Sequence, residues 1–396
     1  MSTTTFGSSR VRTVAPSMTK EMAVIAARHG DCVSLGQGVP GFATPAHITK
    51  AIADFITSRP ESGKYTLQTG MPELREAISM TLQRNKGIRV DPETEICVTV
   101  GGMEALLCAV FAVLDPGDEV LLPSPTYASY TEQILLAGGV PVHIPMDDKW
   151  QLDIDAMASA ITGKTRAIML CNPGNPCGNV IPAQQLKELC LLGEAHNLVM
   201  IVDDTYDYLV FENAAPDTPL AWERFRHLSI SVGSLSKKYA MTGWRVGWIA
   251  ADSRWMEQIM KVHDATAICA PAPSQFGALT ALTGSQDCVT RMRHALLKRK
   301  ELCCQRLDEL HQYFSYVPPA GAFYVMARYL FTDQEATELA VRLIKEAGVI
   351  TIPGTGFGPG GESHLRLSFG GDEVEINAAF DRITRWLNSS ATHATT

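Results

Sequence analysis

Val199-Met200-Ile201-Val202-Asp203-Asp204-Thr205-Tyr206 is the stretch on which the architecture turns. Four apolar residues in a row stop abruptly at two aspartates. A half-exposed strand would alternate apolar and polar residues. An unbroken apolar run is buried on both faces, as in a mostly parallel sheet covered by helices. Its carboxyl end is where such sheets bind ligands. Similar runs lie at 96–100, 119–122, 140–144, 166–170, 229–232 and 246–250. Helical stretches separate several of them. Pro182 suits the first turn of one reaching about His196, and Pro72-Glu73 opens another through about Arg84. Strands alternating with helices predict an α/β/α unit.

The last third reads differently. A long helical stretch at 285–311 precedes a strand at 322–326, a helix at 333–347, strands at 349–352 and 364–369, and a helix to about Leu387. This is a smaller α+β unit, and the amphipathic segment 17–29 is expected to pack against it. The expected division is a large domain over 40–290 and a small domain over 1–39 and 291–396, with 388–396 as a frayed tail.

Bulk properties narrow the function. The chain has 396 residues, 46% hydrophobic and 19% charged, with net charge -8. An acidic balance offers no basic face for nucleic acid. The longest apolar run, 105–114, is half a membrane span, and MSTTTFGSSR has no apolar signal core. Ten cysteines show no CxxC pair and no Cys/His metal spacing, so no metal is expected and a reducing, cytoplasmic setting is.

The chemistry concentrates in a few motifs. Ser234-Leu235-Ser236-Lys237 places a lysine beside two hydroxyls, and Gly243-Trp244-Arg245-Val246-Gly247 follows. Hydroxyls and a guanidinium hold phosphate. A lysine beside them suits a phosphate-bearing aldehyde, the pattern of a pyridoxal 5'-phosphate enzyme with a Schiff-base lysine. Lys238 reads as a solvated neighbour; the alternative is a second cation that depresses the proton affinity of that imine. Gly101-Gly102-Met103 opens a helix after a strand, where bare amides bind phosphate. Asp203 is placed to keep a pyridine nitrogen protonated. Asn175, in Asn172-Pro173-Gly174-Asn175-Pro176-Cys177-Gly178, and Tyr206 are placed to donate to a ring hydroxylate, and Tyr127 to stack on the ring. Arg366, inside an alternating strand, needs an anion, and a substrate α-carboxylate matches its planar fork. Gly36-Gln37-Gly38-Val39-Pro40-Gly41 matches GxGxxG literally, but Pro40 argues against the helix a dinucleotide needs. At Gly38 the bare backbone instead lets substrate come close.

Taken together, from about Leu35 to Trp386, the chain resembles the fold-type I pyridoxal-phosphate aminotransferases of class I/II, the aspartate aminotransferase kind. The resemblance rests on Asn-Pro-x-Asn-Pro-x-Gly, Ser-x-Ser-Lys and Gly-Trp-Arg-x-Gly in the family's order. It implies Lys237 as the Schiff-base lysine and Asp203 as pyridinium partner. It implies Asn175 and Tyr206 on the ring hydroxylate, and Tyr127 on the ring. Ser234, Ser236, Arg245, Gly102 and Met103 become the phosphate cup, and Arg366 the carboxylate clamp. Tyr65 matches a tyrosine reaching the neighbouring subunit's phosphate, so the resemblance also implies a homodimer with shared sites. Three positions depart from the pattern: Cys177 for threonine, Asp204 for glutamate, and Lys238 for a small residue. The implied reaction is ping-pong transfer of an amino group from an L-amino acid to a 2-oxo acid. The alternatives on the same framework are β/γ-elimination or replacement, carbon–carbon bond formation, and oxidation. A non-catalytic regulator would need an added DNA-binding module, for which 35 residues leave no room.

Overall fold

The computed structural model describes residues 6–211 and 216–393, the last four of these by backbone alone. After β1 (Val33–Ser34) come β2 (Ile96–Thr99), β3 (Glu119–Ser124), β4 (Val140–Pro145), β5 (Thr165–Cys171), β6 (Val199–Asp203), β7 (Ser229–Ser234) and β8 (Gly247–Ala251). The last seven form one sheet in the order β2-β8-β7-β6-β5-β3-β4. β3 to β7 run parallel with their neighbours, and β8 lies antiparallel between β7 and β2. The expected mostly parallel sheet is present, with its antiparallel strand toward one edge.

Burial explains the unbroken apolar runs. All five residues of β6 and all six of β7 are buried. These two central strands therefore have no exposed face, and Asp203 comes at the point where β6 ends. Helices the sequence reading did not assign cover the sheet, among them Ala46–Ser58, Ala128–Ala137, Ser253–Thr266 and Ala272–Thr283.

The C-terminal strands are β9 (Phe314–Tyr316), β10 (Tyr324–Tyr329), β11 (Val349–Ile350), β12 (Ile352–Pro353) and β13 (His364–Ser368). β12-β13-β10-β9 make a four-stranded antiparallel sheet. β1 pairs in parallel with β11, Val33 opposite Val349 and Ser34 opposite Ile350. The helix expected over 333–347 is shorter, Ala336–Arg342, and its last turn widens into a π-helix at Leu343–Ala347. The final helix runs to His393, past Leu387 and through most of the expected frayed tail. Residues 394–396 of that tail, and 1–5 of the polar start, lie outside the described residues. No helix among the described residues is long and apolar enough to cross a membrane.

Candidate active site

The carboxyl ends of the central strands open into a cleft of about 460 Å³. Each strand hands over one group. β6 ends at Asp203, and β7 ends at Ser234 and runs into the four-residue helix Leu235–Lys238, carrying Ser236 and Lys237. β5 ends before Asn175, and β2 before Gly102 and Met103 at the start of the Gly101–Val113 helix. All of these line the cleft, with Tyr127, Tyr206, Arg245, Gly38 and Arg366. Twelve of the thirteen residues singled out from sequence thus converge. The thirteenth, Tyr65, lies away from this cleft and is 78% exposed.

Local geometry fixes the anion-binding end. Gly101 has φ +76°, and a Cβ there would lie 2.5 Å from the Arg245 guanidinium. Gly247 lacks a Cβ that would meet the Gly102 amide at 2.8 Å, so β8 packs against the helix start. Arg245 itself is left-handed, φ 50°, and donates to the Thr242 carbonyl at 2.8 Å. Among the described residues no carboxylate pairs with it. Ser234 Oγ accepts from the Ser236 amide at 3.1 Å, which turns the chain directly into Lys237. A guanidinium, two hydroxyls and a bare helix start make a cup for a dianion.

Asp203 is 6% exposed. Its Oδ1 accepts from the Thr205 amide at 3.0 Å and its Oδ2 from the Tyr130 hydroxyl at 2.9 Å. Burial raises its pKa against those donors, so a cationic N–H would be a strongly favoured partner. Lys237 donates to the Gly38 carbonyl. Burial first, then Arg366 and Arg245, pull its pKa down to about 8. Lys238 is not among these causes; its Nζ lies over the Tyr239 ring at 5.9 Å.

Arg366 is 3% exposed and faces no carboxylate among the described residues. It donates to the Gly36 carbonyl at 2.6 Å and to Asn175 Oδ1 at 3.2 Å, and its buried Nε has no partner. The Tyr324 and Phe357 rings lie 4.6 and 4.9 Å from the guanidinium carbon. Burial lowers its pKa. A charged fork held this way and left without an anion suits an incoming carboxylate.

Sequence reading missed Tyr324, Tyr130 and Phe357. Tyr206 and Tyr324 share a hydroxyl hydrogen bond of 2.8 Å. A Cβ on Gly38 would meet that Tyr324 hydroxyl at 2.7 Å, so glycine keeps this wall open. Nothing in the apolar pattern around Tyr324 marked it. Tyr130 did have a signal, its spacing of three from Tyr127 at a helix start; their rings meet edge-on at 5.4 Å. No helix opens in the 36–41 segment; the next begins at Ala46, and Gly38 and Val39 line the cleft. The donor set fits a phosphorylated pyridine aldehyde: a cation with no carboxylate partner among the described residues beside bare amides, a buried carboxylate, and a half-buried amine.

The aminotransferase class I and II family matches residues 30–383. An aspartate aminotransferase of Pyrococcus abyssi is 33% identical over 386 residues, 96% of this chain and 98% of its own. Aromatic-amino-acid aminotransferase 2 of Thermococcus litoralis is 32% identical over the same shares. The solved aspartate aminotransferase of Thermus thermophilus with maleate superposes with TM-score 0.90 at 32% identity, over 97% of this chain and all of that one.

Proposed function

We propose, because the chain belongs to the class I and II aminotransferases, that its cleft binds pyridoxal 5'-phosphate through Lys237 and exchanges amino groups there between an L-amino acid and a 2-oxo acid. Amino transfer itself comes with the family and with relatives that match end to end. The observation that carries the assignment is the half-buried Lys237 amine, held between the Arg245 cup and Arg366.

When bound, the cofactor supplies an aldehyde that condenses with amines and a protonated ring that takes up electron density. The Arg245 guanidinium, the Ser234 and Ser236 hydroxyls and the Gly102 and Met103 amides hold the phosphate. Asp203 keeps the proton on the ring nitrogen; its own pKa, raised by burial, falls back once that cation sits beside it. Asn175 and Tyr206 orient the ring oxygen, and Tyr127 covers the ring. Arg366 binds the substrate's α-carboxylate, which sets the α-carbon before the Lys237 amine. Lys237, a base with a pKa near neutrality, removes the α-proton and returns it on the way to the oxo acid.

The exposed Tyr65 and Leu67, 78% and 59%, favour a second copy covering that loop, so we include a homodimer in the reading. The two sheets and the β1–β11 pairing favour a division at 40 and 290, with the Asp287–Glu309 helix crossing the second boundary. Ten unpaired cysteines suit the cytoplasm.

Lys237→Ala tests the whole. Turnover is expected to drop by at least about 10²–10⁴-fold, the usual share of general acid–base help. Borohydride reduction should attach the vitamer to wild-type Lys237 and to nothing in the variant. Near-normal turnover, or an unmodified Lys237, would overturn the assignment. Conversion of bound cofactor by an amino acid alone, stoichiometric and without further turnover, separates transfer from elimination or oxidation.

A further inference from the structure

Behind the phosphate-cup helix lies a buried pair that plays no part in the scheme above. His263, on the Ser253–Thr266 helix, is fully buried. Its Nδ1 lies 2.6 Å from Glu104 Oε1 and its Nε2 lies 3.0 Å from the Gln68 carbonyl. Both neighbours accept. A neutral imidazole has one N–H and can serve only one of them. Glu104 meets nothing but donors: the Val100 amide at Oε2, and the Cys108 thiol 3.9 Å from Oε1. Imidazole is ordinarily the stronger base of the two, so the shared proton sits on the ring, and the pair is an imidazolium beside a carboxylate. Glu104, Cys108 and His263 carry metal-ligating atoms close together. At 2.6 Å, however, the ring nitrogen and the carboxylate hold each other by a hydrogen bond, with no ion between them.

The position gives this charge a task. Glu104 is in the first turn of the Gly101–Val113 helix, two residues after Gly102. A lone carboxylate there would oppose any anion at the same helix start. Through the Gln68 carbonyl, the same ring ties down the 64–70 loop, which carries Tyr65. Gln275 holds that loop from its other side, donating to Thr66 at 2.9 Å and accepting from the Met71 amide at 2.7 Å. We propose that His263 is a positioning residue for phosphate: as an imidazolium it cancels the Glu104 charge under the cup, and through the Gln68 carbonyl it holds the 64–70 loop. The proposal rests on the phosphate cup assigned above.

The sign with pH follows from the surrounding groups. Burial pulls the His263 pKa down; the Glu104 hydrogen bond and charge, the Gln68 carbonyl and Asp264 push it up by more, and the net shift is upward. The grip is therefore complete on the acid side of that raised value and is lost as pH rises through it.

The test reads cofactor release from the holoenzyme by absorbance, as a function of pH, in wild type, His263→Gln, Glu104→Gln and the double variant. His263→Gln, which cannot take up a proton to balance Glu104, should release cofactor about tenfold faster at neutral pH and lose the pH dependence; tenfold corresponds to about 1.4 kcal/mol. The double variant, with no carboxylate left to balance, should return toward wild type. If His263→Gln releases like wild type, or the double variant releases as fast as His263→Gln, the proposal fails. A wild type that binds no cofactor would instead refute the assignment of the cup.

Discussion

At the scale of single residues the cleft is governed by charges that lack their usual company. Lys237 is pulled down to about 8 by burial, Arg366 and Arg245. Its free-base fraction therefore climbs through pH about 8, and uptake of an aldehyde by cofactor-free protein should climb with it. In Arg366→Gln one of those cations is gone, so that midpoint should move to higher pH; an unmoved midpoint would dissociate the two residues. The same variant loses a charged fork that meets no carboxylate among the described residues. A hydrogen bond to a charged group contributes about 1.5–3 kcal/mol. The expected result is about a ten- to hundredfold fall in kcat/KM, most of it in KM, read by steady-state kinetics with the natural donor series. Tyr206 and Tyr324 share one hydrogen bond, and Arg366 lies against the second ring. A cofactor oxygen at Tyr206 and a carboxylate at Arg366 are thus neighbours through a single tyrosine.

At the scale of elements, strand ends decide where chemistry can sit. β6 delivers Asp203 to the cleft and Asp204, one residue on, to the opposite side. There Asp204 meets Lys86 from the end of the Pro72–Lys86 helix at 2.8 Å, both almost fully buried. Ser231 Oγ of β7 donates to Asp204 at 2.5 Å. Burial raises the Asp204 pKa against the pull of Lys86. Lys86→Met leaves a buried carboxylate with its main counter-charge removed and should cost about 3–5 kcal/mol, measured by denaturant unfolding. Adding Asp204→Asn should restore much of that; an additive double variant would mean the pair is not coupled. This pairing was beyond sequence reading, since 118 positions separate the partners. What was legible was local: apolar runs that can only be buried strands, and hydroxyls, glycines and an arginine close in sequence around Lys237. Tyr324 and His263 were not, because their roles come from long-range contacts through β10 and the 64–70 loop. The Ala46–Ser58 and Ala272–Thr283 helices also went unassigned; in the second the buried face includes Ser274, Gln275 and Gly277, so no apolar stripe marks the helix.

At the scale of the whole molecule, Tyr65 and Leu67 stand out into solvent on a loop pinned from beneath by His263 and Gln275. A loop held rigid with its aromatic side chain outward is built to meet a neighbour. Sedimentation should give twice the chain mass. Mixing Lys237→Ala chains with Tyr65→Ala chains should yield hybrids in which one site regains both groups, with activity above that of either parent. A monomer in sedimentation would remove Tyr65 from the site altogether. The union of β1 with β11 bears on how such a molecule is made. Val33 and Ser34 find their partners, Val349 and Ile350, only after every strand of the large sheet has left the ribosome. A segment made before that sheet is thus locked in place after it, and until then its apolar stripe stands open to chaperones.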